Sequence, residues 1–437
     1  MKKIIAIVMA LVLVVTGAFV LAGCKKNDAE VNDASGNGTQ SENTNNADLS
    51  KVKLGVICLH DEDSTYDLNF INAVKDAQKA LGLSDDQVII KRNIPESNAC
   101  YEAAADLVDE GCNVIFADSF GHEDHMIKAA KEFKDVQFCH ATGTKAHTEG
   151  LDNFHNAFAS IYEGRYLAGV AAGLKLNEMI EAGTITEDQA LIGYVGAFTY
   201  AEVISGYTSF YLGAKSVCPS ATMNVQFTGS WYDEVEEKNA ALALISGGCV
   251  LISQHADSMG APSACEEKNV PDVSYNGSTV ESCPNTFIVS SKIDWAPYLE
   301  YIVTSVAEGK AIDKDWTGTL TTDSVKLSDV NSKAAADGTQ AKLDEVAAKL
   351  KSGEVKVFDT STFTVTEKKK FDAIKDRATV DEDGHLTSYK ADVDTDDAYT
   401  PDTEVVENGA FAESKYRSAP YFDLEIDGIT RLNVNFG

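Results

Sequence analysis

Between Leu54 and Phe120 the chain alternates short apolar runs with stretches of helical periodicity, and no other feature restricts its fold as much. LGVICL (54–59) is followed by FINAVKDAQKALG (70–82), where Phe70, Ala73, Val74, Ala77 and Leu81 recur at helical spacing and Gly82 is placed as a stop. VIIKRNI (88–94), a second helical stretch (100–110) and NVIFADSF (113–120) complete the series. Strand and helix alternating at this pace predict a parallel sheet with crossover helices. The alternation then starts afresh with ALIGYVGAF (190–198), MNVQFTGSW (223–231) and CVLISQHAD (249–257), separated by helical stretches at 201–214 and 233–246. Two doubly wound α/β lobes are therefore expected. The helical stretch 296–309, the strand-like TLTTDSVKLSDV (319–330) and the helical stretch 340–353 return the chain through both. This gives 51–155 with 290–322 as the first lobe and 156–289 with 323–366 as the second. The crossings near 154–160, 286–293 and 318–323 are the expected hinges.

Ligands of such sheets sit outside the carboxyl ends of the strands. In the first lobe those ends carry Ser64-Thr65-Tyr66-Asp67-Leu68-Asn69 and Asp118-Ser119-Phe120-Gly121-His122. In the second they carry residues 196–202, 229–233 and 253–260, which include Phe198, Glu202, Trp231, His255 and Asp257. Aromatic rings beside carboxylates, amides and hydroxyls suit a small neutral ligand. They do not assemble a reaction: no nucleophile elbow, dinucleotide fingerprint, phosphate loop or HExxH is present. His255 and Asp257, two apart on one strand, are not held in a proton relay. Binding without catalysis, and without a cofactor, is the expectation. Nor is a metal expected, since carboxylate–histidine spacing does not recur. In the acidic stretch 392–407, Asp392, Asp394 and Asp396 have calcium-loop spacing, but Asp397 and Thr403 stand where such a loop needs Gly and Glu.

Residues 1–24 read as a lipoprotein signal: Lys2-Lys3, an apolar run to Val20, then Leu21-Ala22-Gly23-Cys24. Cys24 would be lipidated and hold the protein to the outer face of a membrane, since two acyl chains anchor stably. Residues 25–50 are polar and read as a flexible tether. The net charge of −31 disfavours nucleic acid as a partner. Of nine cysteines, the eight beyond Cys24 show no CxxC, and Cys58 and Cys139 lie in or beside apolar runs that suit buried thiols. Residues 367–437 form an acidic C-terminal extension, in which YFDLEIDGITRLNVNF (421–436) is apolar enough to form strands and dock on a lobe.

The segments LAGC, STYDLNF, IFADSFGHED, GAFTYAEVISGYTSFYLGA, TGSWYDEVEEKNAALALISGG, SQHADSMG and SSKIDWAPY occur in an order that resembles the basic membrane protein family of PnrA-like lipoproteins. The resemblance covers roughly residues 53–358 and implies a two-lobed periplasmic-binding-protein type I fold. It also implies a monomeric receptor that delivers a purine nucleoside to an ABC permease, with the base between aromatics and a carboxylate on the ribose hydroxyls. Carried onto this chain, Tyr66 matches the first stacking aromatic, and Asp67 or Asn69 the polar group beside it. Asp118 falls at the acid after the third strand, Asp257 at the ribose-binding acid and Lys292 at the lysine beyond it. The second aromatic is either Phe198 or Trp231. Many members read Ser-Phe-Asn where this chain has Thr65-Tyr66-Asp67, a departure that bears on the base contacts. The competing reading is a receptor for a nucleobase, sugar or signalling molecule on the same fold.

Overall fold

The computed structural model describes residues 48–393 and 400–434. The expected signal, Cys24 and nearly all of the tether lie outside the described residues, as does the middle of the acidic stretch. The first described element is a 3-10 turn at Leu49–Lys51, where the Leu49 carbonyl accepts a 2.7 Å hydrogen bond from Gln87 and its side chain packs on the core. Described structure thus extends slightly before the expected residue 51.

The first lobe is built from β1 (Leu54–Ile57), α1 (Thr65–Leu81), β2 (Val88–Lys91), α2 (Asn98–Asp109), β3 (Val114–Ala117), α3 (Glu123–Glu132), β4 (Gln137–Ala141), α4 (Ala146–Glu149) and β5 (Phe154–Ala159). The chain then enters the second lobe through α5 (Ile161–Glu181). β6 (Leu191–Gly196), α6 (Ala201–Val217), β7 (Thr222–Phe227), α7 (Glu234–Ser246), β8 (Leu251–His255), α8 (Gly260–Lys268), β9 (Asp272–Tyr275) and β10 (Phe287–Ile293) follow. α9 (Ala296–Glu308) and β11 (Asp315–Gly318) return to the first lobe, and β12 (Val325–Leu327) and α10 (Thr339–Ser352) to the second. The sheets run β11-β5-β4-β3-β1-β2 and β12-β10-β9-β8-β6-β7, the latter with one further strand beyond β7. Within each sheet the pairs β1–β3, β3–β4, β6–β7 and β6–β8 are parallel. β1 and β3 are buried along their whole length, so both faces are covered and the strands read as continuous apolar runs rather than alternating ones.

Two lobe boundaries differ from those expected. Residue 155 lies inside β5, which stays paired with β11 through Ala159, and residue 290 lies inside β10, which stays paired with β12 through Ile293. The chain crosses between sheets at Ser160, at Asp294–Trp295 and at 319–324, because backbone ladder bonds rather than composition decide where a strand releases the chain.

Trp295, just past the second crossing, is fixed in the first lobe's core by Phe70, Phe116 and Phe158, with ring centroids 4.5, 5.5 and 6.3 Å away. In the second lobe α5 crosses α6 at backbone contact. A Cβ on Gly169 would stand 1.9 Å from the Phe210 carbonyl oxygen, and one on Gly213 2.0 Å from that of Tyr166. These small residues bring α5 close enough to bury Arg165 completely under the sheet ends.

The extension holds α11 (Lys368–Ile374), an antiparallel sheet of β13 (Ala378–Val380), β14 (Leu386–Ala391) and β15 (Thr403–Glu404), and the pair β16 (Val406–Glu407) and β17 (Ala410–Phe411). Its last strand, β18 (Ile429–Arg431), pairs in parallel with β7 and becomes the edge of the second lobe's sheet. Phe422 stacks on Phe358 at 4.4 Å, so extension and lobe share one core.

Candidate functional site

A pocket lies between the lobes at the carboxyl ends of their strands, with ≈ 400 Å³ of space between atoms when the open solvent at its mouth is included. Ser64 caps α1, its side chain accepting from the Asp67 amide, and this cap sets the first turn at the cleft. Tyr66 in that turn lines the pocket; its hydroxyl donates to the Asp118 carbonyl at 2.7 Å and its ring leans on Phe70 at 5.0 Å. Asp67 also lines it, with its carboxylate accepting from the Ser64 hydroxyl at 2.6 Å and from the His60 amide at 2.8 Å. Asn69 does not line the pocket. It reaches over to the other lobe, where its amide lies 3.5 Å from Asn276 Oδ1.

Asp118 sits behind the pocket at 0 % exposure and accepts from the Leu59 amide at 3.1 Å. Burial, then the charge of Asp67, pushes its carboxyl well above the usual range. Its oxygen, one from Asp67 and the Cys58 sulfur lie within 4.8 Å of one another. This trio suits a metal poorly. Burial and the two acids push the Cys58 thiol well up, which keeps the sulfur protonated.

In the second lobe, the Asp233 side chain caps α7 by accepting from the Val235 and Glu236 amides, which fixes the preceding Trp231 loop. Trp231 lines the pocket. Phe198 does not; it braces Trp231 edge-on at 5.0 Å and stacks on Tyr200 at 5.2 Å. Of the two candidates for second aromatic, Trp231 is therefore the one that faces the cleft. Asp257 lines the pocket at 7 % exposure and accepts from the Asn276 side chain at 3.2 Å. Burial, then the charges of Glu237, Asp67 and Glu202, pushes its carboxyl well above the ordinary range. Lys292, half-buried on β10 opposite Lys326, is not among the lining residues.

Lining groups to which the sequence assigned no ligand contact include Glu202, His255, Tyr275 and Phe120. Glu202 stands in the first turn of α6 and meets His255 Nε2 at 3.4 Å. Tyr275 ends β9, a buried strand of sequence DVSY, and packs against His255 at 4.3 Å; an aromatic closing a short strand was the legible signal for it. Phe120 meets Tyr200 across the cleft at 5.3 Å. Among the described residues, no lysine or arginine lines the pocket.

Beneath these loops Arg165 joins four strands. It donates to the Tyr194 hydroxyl at 3.0 Å, the Ser253 hydroxyl at 2.7 Å, the Ser274 carbonyl at 3.3 Å and the Ser291 hydroxyl at 3.2 Å. Such a girder holds the pocket side of β6, β8, β9 and β10 in register. Nothing in local periodicity marked it.

Residues 54–361 match the family described as ABC transporter substrate-binding protein PnrA-like. A purine-binding protein of Brucella abortus is 30% identical over 70% of this chain and 83% of its own length. A Haloferax volcanii protein, provisionally named an ABC transporter glucose-binding protein, is 34% identical over 47% of this chain and 49% of its own. An ABC transporter nucleoside-binding protein of Lactococcus lactis is 24% identical over 61% and 69%. The crystal structure of an ABC transporter solute-binding protein from Aeropyrum pernix superposes with TM-score 0.59 at 16% identity, over 74% of this chain and 96% of that one, a likeness of fold.

Proposed function

Since this chain belongs to the PnrA-like family of ABC transporter substrate-binding proteins, we propose that it captures a purine nucleoside in the interlobe pocket and presents it to its transporter's permease. One observation carries this reading: Tyr66 from one lobe and Trp231 from the other line a single pocket with the Asp257 carboxyl, and among the described residues no lysine or arginine joins them. A nucleoside offers a π face for the rings and a diol whose two hydroxyls can donate to one carboxylate. A phosphate would meet Asp67, Glu202 and Asp257 without a compensating cation.

The protein acts at the extracytoplasmic face, as its family does, and we assign its attachment to lipid on Cys24. Among the described residues no helix is long and apolar enough to cross a membrane. Binding and release require no reaction, and we assign none.

A sugar is the second reading, because hydroxyl-rich ligands also favour carboxylates beside aromatic rings, and one relative is provisionally named for glucose. Mass spectrometry of whatever is released on denaturing the purified protein separates the two. A purine nucleoside supports the first reading; a monosaccharide overturns it.

A further inference from the structure

The family match ends at residue 361, yet residues far beyond it reach the cleft. Beside the pocket lies a second cavity, with ≈ 490 Å³ of space between atoms when open solvent is included, which shares Phe120, Thr142 and Glu202 with it as walls. Thr144 of the first lobe and Tyr200 of the second also line it. Its far wall is Arg417, Ala419 and Pro420 of the C-terminal extension.

That wall is firmly built. Arg417 folds the loop on itself, donating from Nε to the Ala419 carbonyl and from Nη2 to the Pro420 carbonyl, both at 3.1 Å. The Ser418 amide donates to Asp315 Oδ2 on β11 of the first lobe at 3.0 Å. On the other side, the Tyr162 hydroxyl of α5 donates to the Glu413 carbonyl at 3.3 Å, and β18 is paired into the second lobe's sheet. Ala419 is only 4 % exposed. The loop is thus tied to both lobes and held at the end of the cleft.

We propose that this cavity is an annex of the ligand site, and that the 417–420 loop sets the size of ligand the protein accepts. The inference rests on the nucleoside reading and extends it: the ligand class is a purine nucleoside enlarged by a compact uncharged group, which the annex houses. Glu202 stands against an anionic substituent. Two of the Arg417 donors are already directed to backbone carbonyls, and the other walls are two aromatic side chains, two threonines, two alanines and a proline. A small apolar or hydroxyl-bearing group fits that lining and would displace water from it.

Calorimetry tests this with three ligands: adenosine, adenosine benzylated on its exocyclic amine, and adenosine with its hydroxymethyl oxygen replaced by methylthio. The proteins are wild type, Ala419→Phe and Thr144→Phe, which fill the annex from opposite walls, each checked for folding by ligand-free melting. Wild type is expected to bind at least one enlarged ligand within tenfold of adenosine, and the retained one identifies which end of the nucleoside faces the annex. In the filled variant that folds, the affinity of that ligand relative to adenosine should drop tenfold or more. If wild type rejects both enlarged ligands by more than tenfold, or filling leaves the ratio within tenfold, the annex is overturned while adenosine binding still upholds the nucleoside reading. If adenosine itself does not bind, the nucleoside reading fails and this inference falls with it.

Discussion

The backbone carbonyl of Asp257 in the second lobe accepts hydrogen bonds from both the amide and the hydroxyl of Thr65 in the first, each at 3.1 Å. The side chain of the same residue faces the pocket and is steadied by Asn276, which itself meets Asn69 across the cleft. One residue thereby joins the lobes through its backbone and presents a carboxyl to the ligand through its side chain. Closing the cleft and forming the site are coupled at this point.

Thr65→Val removes the hydroxyl donor and leaves the amide. A neutral hydrogen bond contributes about 0.5–1.5 kcal/mol, so nucleoside affinity should fall roughly two- to tenfold through a less favoured closed form. X-ray scattering with and without ligand should show reduced compaction in the variant at equal ligand concentration. Wild-type affinity and compaction would rule out the coupling.

Asp257→Ala should be far more damaging. The two hydrogen bonds a diol can give this carboxyl are worth about 0.5–1.5 kcal/mol each to its neutral form and about 1.5–3 to its charged form, so losing both costs on the order of 3 kcal/mol where the carboxyl is ionised, about a hundredfold in affinity. Hypoxanthine, which has no ribose, should lose much less than inosine when both are measured by calorimetry. Equal losses would remove the ribose from Asp257.

The aromatic residues should rank by where they stand. Tyr66→Ala and Trp231→Ala should each cost roughly 1–3 kcal/mol by analogy with base stacking on aromatics elsewhere. Phe198→Ala should cost less, because Phe198 only braces Trp231. Lys292→Ala should change affinity less than threefold, since Lys292 does not line the pocket. A large loss at Lys292 would mean that the cleft rearranges around bound ligand.

Glu413 gives a pH test of the extension. Burial raises its carboxyl from 4.5 to about 7 in the folded protein. The folded state therefore holds this proton more tightly than the unfolded one. Its stabilising contribution is complete below about pH 4.5 and lost as pH rises toward 7. Asp272 and Glu237, also raised to about 7, act in the same direction. His122, His140 and His155, lowered to about 4, act in the opposite one below their ordinary values, so a single-site comparison is needed. Glu413→Gln cannot ionise. Its melting temperature relative to wild type should rise between about pH 5 and 8, by the equivalent of at most on the order of 3 kcal/mol. A difference that does not move with pH would refute the raised carboxyl.

Metabolic labelling with a fatty-acid probe checks the anchor. The wild-type chain should incorporate label in a lipoprotein-competent host, and Cys24→Ala should not. An unlabelled wild type would exclude lipid at Cys24.

Much of the pocket could be read from local pattern because the strand-end rule needs only the strands. Tyr66, Asp67, Trp231 and Asp257 all lie in the segments that follow apolar runs, and all line the cleft. The same rule could not separate Asp67 from Asp118. Both are strand-end carboxylates, but one faces the pocket and the other is sealed behind it, a difference made by Leu59 and Tyr66 packing over Asp118. Glu202 depended on how α6 is rotated, which its packing on α5 determines.

What the sequence determined by itself was whatever depends on neighbours along the chain. The two rounds of strand and helix, the Ser64 and Asp233 caps and the small-residue face of α5 each follow from periodicity or side-chain chemistry within a few residues. What only the tertiary structure decided depends on neighbours in space. β18 pairs with β7 some two hundred residues earlier, Arg165 draws four strands together, and Ala419 lines a cavity with Thr142. Their energetics rest on burial and on hydrogen bonds formed after the loops between them have closed. Entropy charges little more for a long loop than for a short one, so distance along the chain does not single out which partner is chosen.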